Sequence, residues 1–168
     1  MKQDLSKYGE DVLSTLADIA DTEPKFFKAS FSYVLEFVRA FVFDKSVDDS
    51  SLKEMAISIL ISIVERIPAL VKKDNEKLKG IILMLFHEMV SIDTEIDEDW
   101  IKPPEGFKDD HENGEVENDE VHFGMQGVDR LISSIGEKVM LPILGSVVQE
   151  MVVQQDWRYK NAAIMALS

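Results

Sequence analysis

Residues 24–43 read PKFFKASFSYVLEFVRAFVF. Within them Phe27, Phe31, Val34, Leu35, Val38, Phe41 and Val42 recur at steps of three and four. That spacing puts all seven on one side of an α-helix, whereas a half-buried strand would need strict alternation. Pro24 has no backbone N–H to leave unpaired, so it suits a first helical turn. The residues before it, Asp21-Thr22-Glu23, stop one helix and start the next.

The same period runs outward in both directions. Leu5, Tyr8, Val12, Leu16 and Ile19 mark one face of a first helix. Leu52–Ile67 gives a third, with Met55, Ile59, Leu60, Ile63 and Val64 facing one way and Lys53, Glu54, Ser62 and Glu65 facing out. Ser50 or Ser51 is placed to cap it, and Pro68 marks its end. Leu78, Ile81, Ile82, Leu85, Phe86 and Met89 define a fourth. Val121–Ile135 and Val139–Val152, separated by Gly136, give two more, and Trp157–Leu167 begins a seventh. No run alternates, and Asn113-Gly114 has no alternating flanks that would make it a hairpin turn. The fold class is all-α.

The second, fourth and sixth helices start near Lys25, Asn75 and Lys138. The intervals are about 50 and about 63 residues, and the second shortens to about 35 without the stretch 93–120, which brackets the ~40–47 residues of two-helix HEAT and armadillo units. Such units cannot bury their apolar faces alone and must stack. The expected architecture is an α-solenoid of antiparallel helix pairs, residues 1–168 making about three to four repeats as one segment. Because NAAIMALS ends inside an apolar helix and the first helix lacks a partner before it, the expectation is a piece cut from a longer protein.

Residues 93–120 stand apart. They hold thirteen Asp or Glu against two Lys, a net of −11 in a chain whose total is −14. The expectation is an acidic insertion, disordered by composition, between the two helices of one repeat. Its bland role is a solvated loop. Its sharper role is a lure for a basic partner, since a local field of one sign steers the opposite sign. The acidic balance argues against binding a nucleic-acid backbone directly, which takes clustered Lys and Arg. The longest apolar run near the middle, Ile81–Phe86, is too short to insert in a membrane.

Other chemistry finds little footing. There is no Cys, so disulfides and Cys-ligated metal centres are excluded. Asp93, Glu95, Asp97 and Asp99 imitate the start of a calcium loop, but Glu98 and Pro104 occupy the places where that loop needs Gly and Glu. His87, His111 and His122 have no zinc spacing. His87, in an apolar helix, reads as a partly buried structural residue. No phosphate-binding loop, serine elbow or zinc-protease motif occurs. No cofactor, metal or catalytic residue is expected, and the chain reads as a non-enzyme.

The last segment, Asp156–Ser168 (DWRYKNAAIMALS), resembles the inter-helix Asp of a HEAT repeat followed by its second helix, and Pro142 in VMLPIL sits where HEAT first helices often carry Pro. LADIADTEPKFF, EIDEDW, VDRLISSIGEKVMLPIL and DWRYKNAAIMALS, in that order, resemble the importin beta-3 branch of the karyopherin-β family, which carries an acidic insertion at the same place. The likeness implies a nuclear import receptor that shuttles between cytoplasm and nucleus. It would bind cargo bearing basic nuclear localisation signals, respond to Ran-GTP and meet nucleoporins. The alternative is a HEAT scaffold subunit, such as a phosphatase scaffold.

The candidate partner-binding residues fall in two sets. One is in the acidic block: Asp93, Glu95, Asp97, Glu98, Asp99, Trp100, Asp109 and Asp110. Trp100 is either an anchor for the block or a ring for a Lys or Arg stem. The other set lies off the apolar stripes of the second helices: Glu54, Ser58 and Glu65, then Gln126, Asp129 and Ser133. These are either solvated faces or the inner lining that the resemblance implies. Trp157 is expected to fill a junction between repeats.

Overall fold

The computed structural model describes residues 2–91 and 119–167. Seven α-helices follow one another: α1 (Lys2–Thr22), α2 (Phe31–Val42), α3 (Ser50–Arg66), α4 (Asn75–Val90), α5 (Asp119–Ile135), α6 (Glu137–Val152) and α7 (Trp157–Met165). Single 3-10 turns at Pro24–Phe27 and Pro68–Leu70 link α1 to α2 and α3 to α4. The second opens on Pro68, the expected helix stop. The first opens on Pro24, and it corrects the sequence reading: the tighter bonds from Phe26 N–H to the Glu23 carbonyl and from Lys28 N–H to the Lys25 carbonyl close a separate turn there, so α2 begins at Phe31 rather than near Lys25 and Phe27 lies in the turn. Among the described residues there is no strand.

The helices form two layers. α1, α3, α5 and α7 pack in that order on one side, and α2, α4 and α6 on the other, with α2 on α3, α4 on α5 and α6 on α7 between layers. Side-chain neighbours fix the directions. Phe43, just past α2, meets His87 late in α4, ring centroids 4.8 Å apart, so these two run the same way. Glu65 late in α3 pairs with Arg130 late in α5. Gly124 lies over Met89 and Leu85, and Gly127 over Leu85, so α5 runs against α4. Stacked antiparallel pairs are the solenoid expected from the repeat spacing.

The caps follow elementary hydrogen bonding. The Asp74 side chain accepts from the Lys77 N–H at 3.2 Å to start α4. Asp156 accepts from the Arg158 N–H at 3.0 Å to start α7. α3 corrects the sequence reading: its cap is Asp49, which accepts from the Leu52 N–H at 3.2 Å, not Ser50 or Ser51, which lie inside the helix. A carboxylate one residue upstream reaches the free amides and also suits the positive end of the helix.

The core is centred on α3 and α4. Ile57, Leu60, Ile61 and Ile63 of the one and Ile81, Ile82, Leu85, Phe86 and Met89 of the other are wholly buried. α3 is more enclosed than an amphipathic stripe predicts, because α1, α2, α4 and α5 all pack on it. Truncating one such Leu to Ala would cost about 2–5 kcal/mol. The α1 stripe is the other departure. Tyr8 and Val12 are exposed, lining an apolar groove with Phe37 and Phe41 of α2, because no described element packs over that side.

Candidate partner-binding surface

The α3–α5 face collects the second set of candidates. Glu54, Ser58 and Glu65 are four and eleven residues apart, which places them along one side of α3. Gln126, Asp129 and Ser133 line up the same way on α5. The three α3 residues are half-buried and the three α5 residues exposed. The two rows are adjacent because α3 and α5 pack side by side.

Glu65 is already engaged. Its two oxygens accept from Arg130 Nε at 2.8 Å and from a terminal guanidinium nitrogen at 2.7 Å. This fork-on-fork pair raises the Arg130 pKa, against a burial cost and with a further contribution from Asp21 of α1. One guanidinium therefore ties α3 to α5, and the Asp21 charge of α1 favours it from farther away. The pair spans 65 residues, which is why no local pattern disclosed it. Glu65 thus serves first as a tie between helices.

The remaining positions differ in surroundings. Gln126 Nε2 lies 2.7 Å from His122 Nε2, one turn away. Asp129 is exposed beside the Arg130 tie. Ser133 borders a cavity of about 660 Å³ shared with Lys72, Gly136, Glu137 and Lys138. Two lysines there disfavour a basic partner, so the acidic character of this face weakens towards Ser133.

Asp93, Glu95, Asp97, Glu98, Asp99, Trp100, Asp109 and Asp110 lie outside the described residues. The block they belong to joins Val90 of α4 to Asp119 of α5. Among the described residues no group of His, Cys, Asp and Glu has the arrangement of a metal centre. No described helix is long and apolar enough to cross a membrane.

Three further residues complete the account. His87 is half-buried against Phe43, and burial lowers its pKa, with Lys53 adding to the effect. That is the structural role read from its apolar helix. Trp157 does not fill a junction: it is 57% exposed, because as the first residue of α7 it projects outward from the Asp156 cap. Glu88, passed over in the sequence, is the buried charged residue of the described core. Its signal was a lone acid inside LMLFHEMV.

The importin repeat family matches residues 44–142, from the end of α2 to the middle of α6. The chain belongs to that family. Its repeats build the importin-β-like nuclear transport receptors. A curated relative, importin subunit beta-3 of Saccharomyces cerevisiae, is 26% identical over 159 residues. That alignment covers 94% of this chain and 14% of the relative, so the chain spans about one seventh of the relative's length. Solved karyopherins share the fold. Kap121p bound to RanGTP superposes with a TM-score of 0.76 at 20% identity, covering 98% of this chain and 16% of that one. Kap121p bound to the SUMO protease Ulp1p gives 0.77 at 20% identity, covering 99% and 16%. Kap121p bound to Nup53p gives 0.74 at 20%, covering 93% and 15%.

Proposed function

We propose that this chain is a stretch of a nuclear import receptor, of about three to four HEAT repeats, that receives basic localisation signals between its α3–α5 face and the acidic residues 93–120. The single observation that supports the reading most is the importin repeat match, which spans α3, the acidic block and α5 together. The block is then an insertion between the paired helices α4 and α5. Complexes of the related karyopherin with RanGTP and with Nup53p favour Ran-GTP as the regulating partner and nucleoporins as a further contact, with shuttling between cytoplasm and nucleus. The family match favours this receptor over a scaffold subunit.

The physical mechanism is additive electrostatics. Each exposed ion pair contributes about 0–1 kcal/mol, so no single acid decides affinity. Thirteen acids close together raise the local concentration of a Lys- or Arg-rich segment and speed its arrival. Salt screens the attraction over about 8–10 Å. Asp129 and Gln126, exposed on α5, and Glu54 and Ser58 on α3 then meet the captured segment. No covalent chemistry is required.

Titration calorimetry tests this. A Lys-rich localisation peptide and Ran-GTP are each titrated into the chain and into a variant with the acids of 93–120 changed to Asn or Gln, at low and physiological salt. The expected result is weaker binding of one or both by the variant and a flatter salt dependence. Unchanged affinity and salt slope for both would overturn the role of the block. Binding lost on Asp129→Lys, with the block intact, would place recognition on α5 alone.

A further inference from the structure

The ends of α4 and α5 away from the acidic block are built differently. The block joins Val90, at the end of α4, to Asp119, at the start of α5. The start of α4 and the end of α5 instead border the cavity of about 660 Å³. Ile132 and Ile135 from the last turn of α5 and Val139 from the first turn of α6 give it apolar walls. Lys72, from the link before α4, and Lys138, from the first turn of α6, bring two ammonium groups to it. Glu137 is the single acid among its described lining residues. The elbow that opens the cavity is Gly136, whose φ of 98° disfavours a side chain; a Cβ there would meet nothing within 4 Å.

The two lysines are available. Lys77 and Lys79 nearby are held, by Asp74 at 3.3 Å and by Glu150 at 2.6 Å. Lys72 and Lys138 are exposed and in no ion pair among the described residues, and the same holds for Lys73 beside Lys72. Even with exposed Glu76 of the first α4 turn counted beside Glu137, three lysines face two acids, in a chain of net −14. The 16 residues of α4 rise 1.5 Å each, so its two ends lie about 24 Å apart. Physiological salt screens exposed charge over about 8 Å, so the far end of α4 does not cancel this local field.

Size, walls and charge together select a ligand class. A cavity of roughly 300–1,000 Å³ is large enough to enclose a ligand, and apolar walls with a few charged groups fix its orientation. A single phosphate would meet the lysines and leave Ile132, Ile135 and Val139 bare. A stretch of peptide uses both features, with carboxylates for the lysines and an aliphatic side chain for the walls. We infer that this cavity is a docking site for an acidic, leucine-bearing segment of a partner protein, with Lys72 and Lys138 pairing with its carboxylates. The association is non-covalent. It gives the receptor a second recognition surface, opposite in sign to the one that meets basic segments.

The test is fluorescence anisotropy of a labelled Glu-Glu-Leu-Glu-Glu-Leu-Glu-Glu peptide titrated with the full chain at physiological salt. The wild type is expected to bind it saturably and to lose binding when every Glu of the peptide is Gln. Lys72→Met with Lys138→Met should weaken binding about tenfold, since two exposed ion pairs are removed. Lys45→Met with Lys160→Met removes the same charge from exposed positions that do not line the cavity, and should change little. Replacing both Leu of the peptide by Gly should also weaken binding. No saturable binding overturns the inference. So does equal weakening in the two double variants, because net charge alone then decides. Displacement of the peptide by inorganic phosphate, with the Gly peptide binding as well as the Leu one, reduces the site to a bare anion site and overturns the peptide assignment. Amide shift mapping of the unmodified chain is the check independent of any variant: shifts must fall at Lys72, Ser133, Gly136 and Lys138, and shifts elsewhere alone refute the site. The probe is opposite in charge to a localisation signal, so failure here leaves the basic-segment reading standing.

Discussion

Four of the helical glycines, those of α4, α5 and α6, divide into two pairs that should respond oppositely to the same substitution. A Cβ added at Gly80 in α4 or Gly145 in α6 meets nothing within 4 Å. One added at Gly127 in α5 would lie 2.5 Å from Leu85 Cδ2 and 3.2 Å from Ile61 Cδ1, both wholly buried side chains. One at Gly124 would sit inside the Met89 side chain and 3.2 Å from the Leu85 carbonyl oxygen. Carbon atoms rest at about 3.5–4.0 Å, so at Gly127 the core must open by close to an ångström. Gly→Ala in a helix interior gains about 0.8–1 kcal/mol of helix propensity. Overpacking a filled core costs about 1–3 kcal/mol. Gly80→Ala and Gly145→Ala should therefore stabilise by about 0.5–1 kcal/mol, while Gly127→Ala and Gly124→Ala should destabilise by up to about 2 kcal/mol. Equilibrium urea unfolding reads all four. If Gly127→Ala stabilises as Gly80→Ala does, α5 does not lie this close to α4, and the packing of that pair is refuted.

The remaining predictions concern charge and caps. The folded pKa of Glu88 lies above its ordinary 4.5, so the native state holds the extra proton and stability falls as pH rises from about 4.5 through about 7. Between pH 5.5 and 8 the loss is of order 2 kcal/mol, and Glu88→Gln should remove that part of the slope in urea titrations across pH. The Glu65–Arg130 pair is 30% and 40% exposed, so a double-mutant cycle through Glu65→Gln and Arg130→Met should return a coupling of at most about 1 kcal/mol, shrinking with salt. Asp49→Ala should cost about 1 kcal/mol by thermal unfolding, whereas Ser50→Ala should cost far less, since Asp49 holds the cap.

The fold was legible because it rests on periodicity. Six of the seven apolar positions of Pro24–Phe43 fall in α2, and they and the matching runs around them require helices; Phe27 keeps the period but lies in the 3-10 turn. Pairs that cannot bury both faces alone require stacking. What periodicity does not carry is which helix becomes central. α3 is buried on most sides because four neighbours converge on it, and that convergence is long-range. The Tyr8 and Val12 positions obey the same period and are exposed, since a stripe identifies a face and not its cover. At α3 the cap falls on Asp49 rather than on Ser50 or Ser51, because all three are good caps and only backbone geometry chooses among them. At the candidate surface, the polar rows of α3 and α5 could be read from their distance off the apolar stripe. The Arg130 tie that occupies Glu65 could not, as its partners are far apart in sequence. The lysines near Ser133 come from the link before α4 and from the first turn of α6, far apart in sequence, so their meeting there was also hidden.

The central claim is that a basic segment is received on the α3–α5 face. The most direct measurement is amide chemical-shift mapping of the isotope-labelled chain with a Lys-rich localisation peptide at physiological salt. The account predicts shifts concentrated at Glu54, Ser58, Gln126 and Asp129 and through residues 93–120, fading as salt rises. Shifts confined to the other layer, α2, α4 and α6, with that face silent, would contradict it.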